Sequence, residues 1–213
     1  MPEISVVIGA TGLVGNLLCQ HLSQNKEKVI AITRRPIVNL SNNIDNLVID
    51  FDNFISNGEF PACDHLYLCL GTTIKKAGSK ENFKKIDLDY TVALAKKAKE
   101  AGASKVSLIS SVGADLYSKN FYLSIKGKVE KKLEELDFTS VHIFRPSLLL
   151  GDRGERRILE DIGQKLFFLI NIFLIGSFRK YRCVRASLVA SSMANSPTTR
   201  GLRYFYFDDF TSY

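Results

Sequence analysis

A tyrosine and a lysine stand four residues apart in the stretch FYLSIKGKVEKKLEEL, residues 121–136, whose pattern predicts a helix. Residues at this spacing lie on one helix face, so the phenol of Tyr122 and the ammonium of Lys126 can point at one spot. Because a nearby ammonium stabilises a phenolate, the pair could donate a proton at neutral pH. Taken alone, the spacing also fits an aromatic ring packed beside a surface lysine.

A serine doublet supplies a third hydroxyl group. The segment ISSVGAD places Ser110 and Ser111 at the end of a predicted strand. If that strand belongs to a parallel sheet, its carboxyl end lies at the same edge as the other strand ends, near the tyrosine and lysine. We expect Ser111 to hydrogen-bond a substrate carbonyl oxygen and to steady the charge that develops on it. The doublet leaves Ser110 open as the alternative.

The segment GATGLVG lies between the first predicted strand and an amphipathic helical pattern. In that context it is typical of a dinucleotide-binding turn. Gly9 permits the tight turn, Gly12 lets the backbone approach a pyrophosphate, and Gly15 lets the helix pack on the strand. The amino end of the helix offers free N–H groups and a positive dipole to phosphate.

The second predicted strand ends in TRR, residues 33–35. NAD-binding proteins usually carry an acidic residue near this place, which holds the ribose 2′-hydroxyl group. Here Arg34 and Arg35 offer guanidinium groups that can clamp a 2′-phosphate. The sequence therefore predicts NADP(H) in preference to NAD(H), although one of the two arginines could be merely solvated.

Two further strand ends reach the same edge of the predicted sheet. The third ends in DFD, where Asp52 could accept a hydrogen bond from the adenine amino group. The fourth ends in LGTT, where Leu70, Gly71 and Thr72 would pass along the cofactor.

Strand and helix patterns alternate from residue 3 to about residue 150. The predicted strands are ISVVIG, KVIAIT, NLVID, DHLYLCL, SKVSLIS and TSVHIFRP. Ser79 is a plausible cap and Gly102 a plausible end of the long helix that precedes the fifth strand. This alternation predicts an α/β fold, a doubly wound parallel sheet of the Rossmann-like type over residues 1–150. Residues 151–213 break the pattern and are expected to form a small C-terminal cap packed on the core of a single domain.

The composition is that of a globular protein, with 213 residues, of which 46% are hydrophobic and 24% charged. The net charge of +7 comes from lysines spread along predicted helices, and no zinc finger or aromatic RNA-binding motif accompanies it. We therefore expect solvated helix faces and no nucleic-acid partner.

The chain has four cysteines, Cys19, Cys63, Cys69 and Cys183, whose spacing makes no disulfide framework. The fragment CDHLYLC invites a metal hypothesis through His65, but nothing nearby supplies a fourth ligand, so buried strand thiols and no metal are expected. The first apolar run is interrupted by Gly9 and is typical of a strand, not of a signal peptide. These features favour a reducing, cytoplasmic compartment.

The segment LFFLINIFLIGSF, residues 166–178, is very apolar and is followed by basic residues. It is too short to span a bilayer, which takes about 20 apolar residues. It could lie in an anionic membrane surface. We favour a core, pocket-lining or subunit-interface helix, which leaves an oligomer possible.

Several motifs together resemble the atypical short-chain dehydrogenase/reductases. They are GATGLVG, TRR, CLGTT, DLDY, LISSVGAD, NFYLSIKG and FRPSLLLGDRGERR, spread over residues 4–157. The most similar branch is the one that contains the Tat-interacting oxidoreductase and its bacterial relatives. The resemblance implies a Rossmann-like fold and NADPH as cofactor, with Tyr122 as the catalytic tyrosine and Lys126 as its lysine. It implies phosphate and ribose contacts from Thr11, Gly12, Leu13, Val14, Gly15, Arg34, Arg35, Leu70 and Gly71, and places Leu149 and Arg157 near the cofactor.

Three functions are compatible with these residues. The first is an NADPH-dependent oxidoreductase that transfers hydride to a small carbonyl substrate. The second is a sensor or regulatory protein that binds NADP(H) without turnover. The third is a nucleotide-sugar epimerase or dehydratase, which uses the same Ser/Tyr/Lys set, but a short cap leaves little room for a sugar nucleotide.

Overall fold

A parallel sheet of seven strands forms the centre of the computed structural model, which describes residues 3–25, 28–38, 40–151, 174–197 and 199–212. The strands are β1 (Ile4–Ile8), β2 (Lys28–Thr33), β3 (Ile44–Val48), β4 (His65–Leu68), β5 (Lys105–Ile109), β6 (Ser140–Phe144), β7 (Leu149–Leu150), β8 (Val184–Arg185) and β9 (Gly201–Phe205). The main sheet has the order β3-β2-β1-β4-β5-β6-β9, and β7 pairs with β8 in a separate ribbon. All of these pairings are parallel, as the sequence predicts.

Helices follow most strands. They are α1 (Leu13–Gln24), α2 (Phe51–Asn57), α3 (Ile74–Ala77), α4 (Lys80–Lys84), α5 (Thr91–Glu100), α6 (Phe121–Glu134), α7 (Ala186–Ala194) and α8 (Phe207–Phe210). A π-helical turn, Lys85–Tyr90, joins α4 to α5, and a 3₁₀ turn spans Gly176–Tyr181. Among the described residues, no helix has both the length and the apolar character needed to cross a bilayer.

Helices cover both faces of the sheet. Successive side chains of a buried strand point to opposite faces, so each strand contributes to two core clusters. On β1, Val6 and Ile8 belong to a core cluster with residues of α2, α5 and α6. Val7 belongs to a second cluster, formed with residues of α1, α7 and α8. The doubly wound Rossmann-like fold predicted from the strand and helix alternation is thereby confirmed.

The described part of the C-terminal region extends the main sheet. Strand β9 pairs with β6, and the ring of Phe205 stacks on Phe144 with centroids 4.4 Å apart. Phe210 packs on the same ring at 6.2 Å. Strand β9 lies within the range 151–213 that was predicted to be a cap, but it is the seventh strand of the main sheet, because its buried Phe205 completes the second cluster. Residues 152–173, which include Arg157 and most of the apolar segment 166–178, lie outside the described residues.

Two helix boundaries agree with the sequence and one strand boundary differs. The Ser79 side chain accepts a hydrogen bond from the Asn82 N–H at 3.0 Å, and Gly102 adopts a φ of +104° just after α5 ends. Strand β3 ends at Val48, earlier than predicted, so Asp52 lies in the first turn of α2. Asp50, which caps α2 through its side chain, ends the strand early.

A buried histidine lies at the amino edge of the sheet, away from the predicted site. His65 is hydrogen-bonded to Ser107 at 2.9 Å and its ring stacks on Tyr67 with centroids 3.9 Å apart. Burial lowers its pKa well below the ordinary value, and the positive potential of His142 and Lys105 acts in the same direction. The folded chain therefore holds this imidazole neutral.

The His65 environment predicts a loss of stability in mild acid. Below about pH 6.5 the unfolded chain binds a proton at this histidine that the folded chain does not, so the free energy of unfolding falls as pH falls, by up to about 1.4 kcal/mol per pH unit. In His65→Gln, which cannot titrate, the slope between pH 6.5 and 5.5 should be shallower by up to that amount. Urea titrations at three pH values measure it, and an unchanged slope would contradict the assignment.

Candidate active site

The turn after β1 has no room for side chains at two of its glycines. Gly9 has a φ of +86°, and a Cβ there would lie 2.5 Å from the carbonyl oxygen of Cys69. A Cβ on Gly15 would lie 2.4 Å from the carbonyl oxygen of Gly9. The N–H of Gly12 closes the turn by donating to the Gly9 carbonyl at 2.8 Å. The backbone of β1, α1 and the segment after β4 therefore packs as closely as a dinucleotide-binding turn requires.

The amino end of α1 offers N–H groups to a ligand. Gly12 is the N-cap and has no side chain that could accept the first N–H groups of the helix. Thr11 is exposed and Leu13 half-buried, whereas Val14 and Gly15 are buried, so the latter two can contribute only backbone. This is the arrangement that binds phosphate at helix amino termini.

The carboxyl end of β2 presents two exposed arginines, Arg34 and Arg35. The Thr33 hydroxyl fixes the backbone there by donating to the Arg35 carbonyl oxygen at 2.8 Å. Arg34 also lines a cavity of about 370 Å³ together with Lys76 and Lys85. Within the described residues, neither arginine has a carboxylate within ion-pair distance, so both are available to an anionic ligand.

Asp52, which the sequence predicts to contact adenine, is already engaged by other side chains of the protein. The Asp52 carboxylate accepts hydrogen bonds from Lys85 at 2.8 Å and from Tyr90 at 2.9 Å. These two bonds hold the pKa of Asp52 below its usual value. The contact of Asp52 with adenine stays a prediction. On the loop after β4, Leu70 is half-buried and Gly71 is exposed with open space around it.

Tyr122 and Lys126 lie on one face of α6, as their spacing predicts. The Lys126 Nζ is 5.9 Å from the centroid of the Tyr122 ring. Phe83 packs on the tyrosine, with ring centroids 5.7 Å apart. Tyr122 is half-buried, while Lys126 is buried. The alternative of a surface lysine beside an aromatic ring is therefore wrong for Lys126.

A carboxylate that the sequence analysis did not single out meets this lysine. Asp87, in the π-helical turn, has its Oδ1 atom 2.7 Å from the Lys126 Nζ, and its side chain is fully buried. Its Oδ2 atom accepts a hydrogen bond from the Thr72 N–H at 3.1 Å. Thr72 lies on the loop after β4 and is one of the predicted cofactor residues. The carboxylate therefore joins the lysine to that loop.

The two serines after β5 differ in burial and in their hydrogen bonds. Ser110 is buried, and its hydroxyl donates a short hydrogen bond to Glu130, which in turn pairs with Arg145. Ser111 is half-buried, and its hydroxyl donates to the adjacent Val112 carbonyl oxygen at 3.3 Å, a long and easily exchanged bond. Of the doublet, Ser111 therefore has the hydroxyl that is free to meet a ligand.

Of the remaining predicted residues, Leu149 is half-buried on β7 and packs against the second core cluster, as does Leu13. A Cβ on Gly151 would lie 2.6 Å from Leu13, so the segment after β7 passes over the start of α1. Leu149 thus packs near the start of α1, and its contact with a cofactor stays a prediction, whereas Arg157 lies outside the described residues.

Within the described residues, the four cysteines are buried or half-buried and form no disulfide. Burial raises the pKa of Cys19 and of Cys63 to about 12, and it raises that of Cys69 as well. These thiols stay protonated at neutral pH, whereas metal binding needs thiolate. In the part of the chain that the structure describes, no group of three or more His, Cys, Asp or Glu side chains could hold a metal ion.

The sheet and the glycine turn are those of the Rossmann class of dinucleotide-binding folds. The model of the NAD dependent epimerase/dehydratase family matches residues 5–133, and the chain belongs to that family. The cofactor class of the family is a nicotinamide dinucleotide.

The proteins similar to the chain include the following two relatives and one solved structure. Protein HTATIP2 of Rattus norvegicus is 40% identical over 167 residues, which cover 76% of this chain and 69% of the relative. Protein FMP52, mitochondrial, of Debaryomyces hansenii is 34% identical over 209 residues, or 92% of this chain and 89% of the relative. The structure of MoeE5 in complex with UDP-glucuronic acid and NAD has a TM-score of 0.70 at 16% identity, covering 94% of this chain and 75% of that one. The first relative supports the predicted short-chain dehydrogenase/reductase branch, and the structure supports the fold.

Gly15 lies against the Gly9 carbonyl, so the methyl group of Gly15→Ala would overlap that oxygen. We therefore expect Gly15→Ala to lower the free energy of unfolding by about 1–3 kcal/mol and to weaken dinucleotide binding. Gly71→Ala is the matched control for stability, since open space surrounds Gly71. Urea denaturation and a fluorescence titration with NADPH measure the two effects. Equal stability of both variants would show that α1 is not held as closely as described.

Proposed function

We propose that the chain is an NADPH-dependent oxidoreductase that reduces a small carbonyl compound to an alcohol. The observation that carries the proposal is the pairing on α6, where the Lys126 ammonium lies 5.9 Å from the centroid of the Tyr122 ring. The glycine turn and the amino end of α1 fit the pyrophosphate of a dinucleotide, and Ser111 follows β5 at the same edge of the sheet.

Three side chains take part in the proposed reaction. NADPH supplies the hydride when bound. The Tyr122 hydroxyl donates a proton to the substrate oxygen as the carbonyl is reduced. Ser111 donates a hydrogen bond to the same oxygen and stabilises its developing charge. Lys126 binds the ribose hydroxyl groups and keeps a positive charge beside the tyrosine.

The preference for NADPH rests on Arg34 and Arg35. Both are exposed at the end of β2, where a 2′-phosphate would lie, and Lys76 adds positive charge to the adjoining cavity. The charge of Lys85, which also lines the cavity, is paired with Asp52 at 2.8 Å. Asp50 is the acidic residue of that cavity, and one of its carboxylate oxygens is engaged in capping α2. The charge balance therefore favours a ligand with the additional phosphate.

This preference predicts that Arg34→Ala and Arg35→Ala each weaken NADPH binding about tenfold or more, because charge-assisted contacts to the 2′-phosphate are lost. The Kd for NADH, which has no 2′-phosphate, should change less than about twofold. Lys28→Ala removes an exposed cation from the opposite end of β2 and is the control for net charge. Fluorescence titrations give the dissociation constants. Equal affinity of the unmodified protein for NADPH and NADH would defeat the preference.

Two other functions have some support. Because the Lys126 ammonium is paired with Asp87, its effect on Tyr122 is smaller than that of an unpaired cation, which favours a protein that binds NADP(H) without turnover. The family model and the neighbour solved with UDP-glucuronic acid favour a sugar-nucleotide epimerase or dehydratase. That neighbour is longer, however, and 25% of its length has no counterpart here.

The proposed reaction predicts that Tyr122→Phe lowers the turnover of NADPH with an aldehyde and ketone panel about 100-fold or more, with the Kd for NADPH changed less than about threefold. Tyr117→Phe, which alters an exposed tyrosine just before α6, is the control. NADPH binding by the unmodified protein without turnover on any compound would favour the sensor. Conversion of UDP-sugars without net consumption of NADPH would favour an epimerase.

For the setting of the reaction, we propose a reducing compartment, because Cys19, Cys63, Cys69 and Cys183 form no disulfide within the described residues. The cytoplasm and the mitochondrion named for the fungal relative both meet this condition. The proposed partner is a small carbonyl substrate, with no nucleic acid. A peripheral membrane contact through residues 166–178 and an oligomer stay predictions.

A further inference from the structure

Exposed apolar side chains gather around the 3₁₀ turn Gly176–Tyr181. They are Leu148 (44% exposed), Ile175 (69%), Phe178 (61%) and Tyr181 (41%), and we call these four residues the apolar patch. Two hydrogen bonds join the turn region to the segment after β6. The Ser147 hydroxyl donates to the Tyr181 carbonyl oxygen at 2.9 Å, and the Val184 N–H donates to the Leu148 carbonyl oxygen at 3.1 Å.

Ile175 and Phe178 belong to the described end of the apolar segment 166–178, for which the sequence favours a core, pocket-lining or subunit-interface helix. A core position would bury both side chains, but most of each is exposed. The core alternative is therefore wrong for these two residues. Because folded proteins seldom expose a contiguous group of large apolar side chains without using it, the patch requires an occupant.

Helix α8 holds the turn in place. The Arg179 guanidinium pairs with Asp208 at 2.7 Å, and the Arg182 guanidinium lies 5.8 Å from the centroid of the Phe207 ring. Both partners belong to α8, which is fixed to the core by the fully buried Phe210. The apolar side chains are therefore presented on a braced turn, so their exposure does not depend on a loose end of the chain.

Basic residues accompany the patch, and residues 174–207 contain neither Asp nor Glu. Four of the basic residues lie within one short stretch: Arg179, Lys180, Arg182 and Arg185. The Lys180 Nζ is 5.4 Å from the centroid of the Tyr181 ring, so a cation lies directly beside the patch. Among the residues that the structure describes, no carboxylate lies within ion-pair distance of Lys180 or Arg185. The surface therefore combines apolar side chains with unneutralised positive charge.

We propose that the apolar patch and these basic residues form a docking surface for an anionic phospholipid membrane. The apolar side chains would enter the boundary between headgroups and acyl chains, while the ammonium and guanidinium groups stay at the level of the lipid phosphates. A membrane fits this surface better than a protein partner, because it offers phosphate on all sides of an inserted side chain without specific pairing. The inference does not depend on the proposed reaction.

Vesicle sedimentation with the full chain is the first test. Vesicles of phosphatidylcholine and phosphatidylserine, mixed about two to one, should bind the protein about tenfold or more tightly than vesicles of phosphatidylcholine alone. Raising the salt concentration from about 0.05 M to about 0.5 M should release most of the protein, because the exposed cations are then screened. Failure of the unmodified protein to sediment with the anionic vesicles would overturn the proposal.

A pair of double variants tests the apolar contribution. Ile175→Ser with Phe178→Ser should weaken binding to the anionic vesicles about tenfold or more, because the side chains that enter the membrane are lost. The matched control is Val38→Ser with Val48→Ser. It removes exposed apolar side chains at the β3 end of the sheet, far from the patch, and should leave binding unchanged. Unchanged binding in the patch variant would contradict the proposal.

A second pair of double variants tests the charge. Lys180→Glu with Arg185→Glu should weaken binding to the anionic vesicles about 30-fold or more. Lys96→Glu with Lys128→Glu makes the same change of net charge on exposed positions of α5 and α6. This control should weaken binding less than about threefold, because distant charges are screened. Equal losses in the two variants would mean a general attraction of a basic protein and no defined surface.

A tryptophan in the turn reports insertion directly, because the chain has no other tryptophan. The emission of Phe178→Trp should shift to the blue with anionic vesicles and be quenched by brominated acyl chains, whereas Val48→Trp should show neither effect. This conservative change also decides the question if Ile175→Ser with Phe178→Ser does not fold. An unshifted emission of Phe178→Trp would place the turn in water and refute the proposal.

Sedimentation equilibrium without lipid tests the other occupant, a second copy of the chain. We expect the unmodified protein and the Ile175→Ser with Phe178→Ser variant to have the same oligomeric state. If the unmodified protein self-associates and the variant does not, the patch is an interface between copies and the membrane proposal is overturned. A protein that binds no dinucleotide would defeat the proposed function alone, since vesicle binding requires neither cofactor nor turnover.

Discussion

The close approach of α1 to the turn after β1 determines where a ligand can lie in this fold. With Gly9 and Gly15 in contact, the amino end of the helix points at the edge where the parallel strands end. A side chain at either position would push the helix away from that edge and separate its N–H groups from the other strand ends. The backbone geometry thus comes first, and the chemistry of the edge depends on it.

Helix α6 brings the reactive side chains to that edge and is held by two buried charge pairs. Near its start, Lys126 meets Asp87. One turn later, Glu130 receives the Arg145 guanidinium through both of its oxygens and also accepts the Ser110 hydroxyl. Because the two pairs lie one turn apart on the same face of α6 and attach it to the π-helical turn and to the residue after β6, they limit both its rotation and its translation.

The C-terminal region also supports the position of α6. The Tyr206 hydroxyl accepts a hydrogen bond from Arg145 at 3.1 Å, and the Arg145 guanidinium lies 4.3 Å from the centroid of the Tyr204 ring. Tyr204 belongs to β9, the strand that extends the sheet beyond β6. The last strand therefore contributes to the site without reaching it, through Arg145 and Glu130.

Periodicity and glycine spacing were sufficient to predict the fold, the turn at Gly9 and the shared helix face of Tyr122 and Lys126, because all three are local properties of the chain. Ionic partners from distant segments were not predictable in this way. Asp87 was missed although it lies four residues from Phe83 and four from Thr91, both buried, a spacing that predicts a buried position. The π-helical turn and the pairing with Lys126 depend on tertiary packing, which no short pattern encodes.

The buried ion pair also changes how the tyrosine must be understood. The Asp87 carboxylate lies 2.7 Å from the Lys126 ammonium and cancels much of the field that this ammonium would otherwise exert on its surroundings. What remains is a cation fixed in place and able to offer its N–H groups to ribose hydroxyls. In the proposed reaction the lysine would therefore contribute more by orientation than by charge.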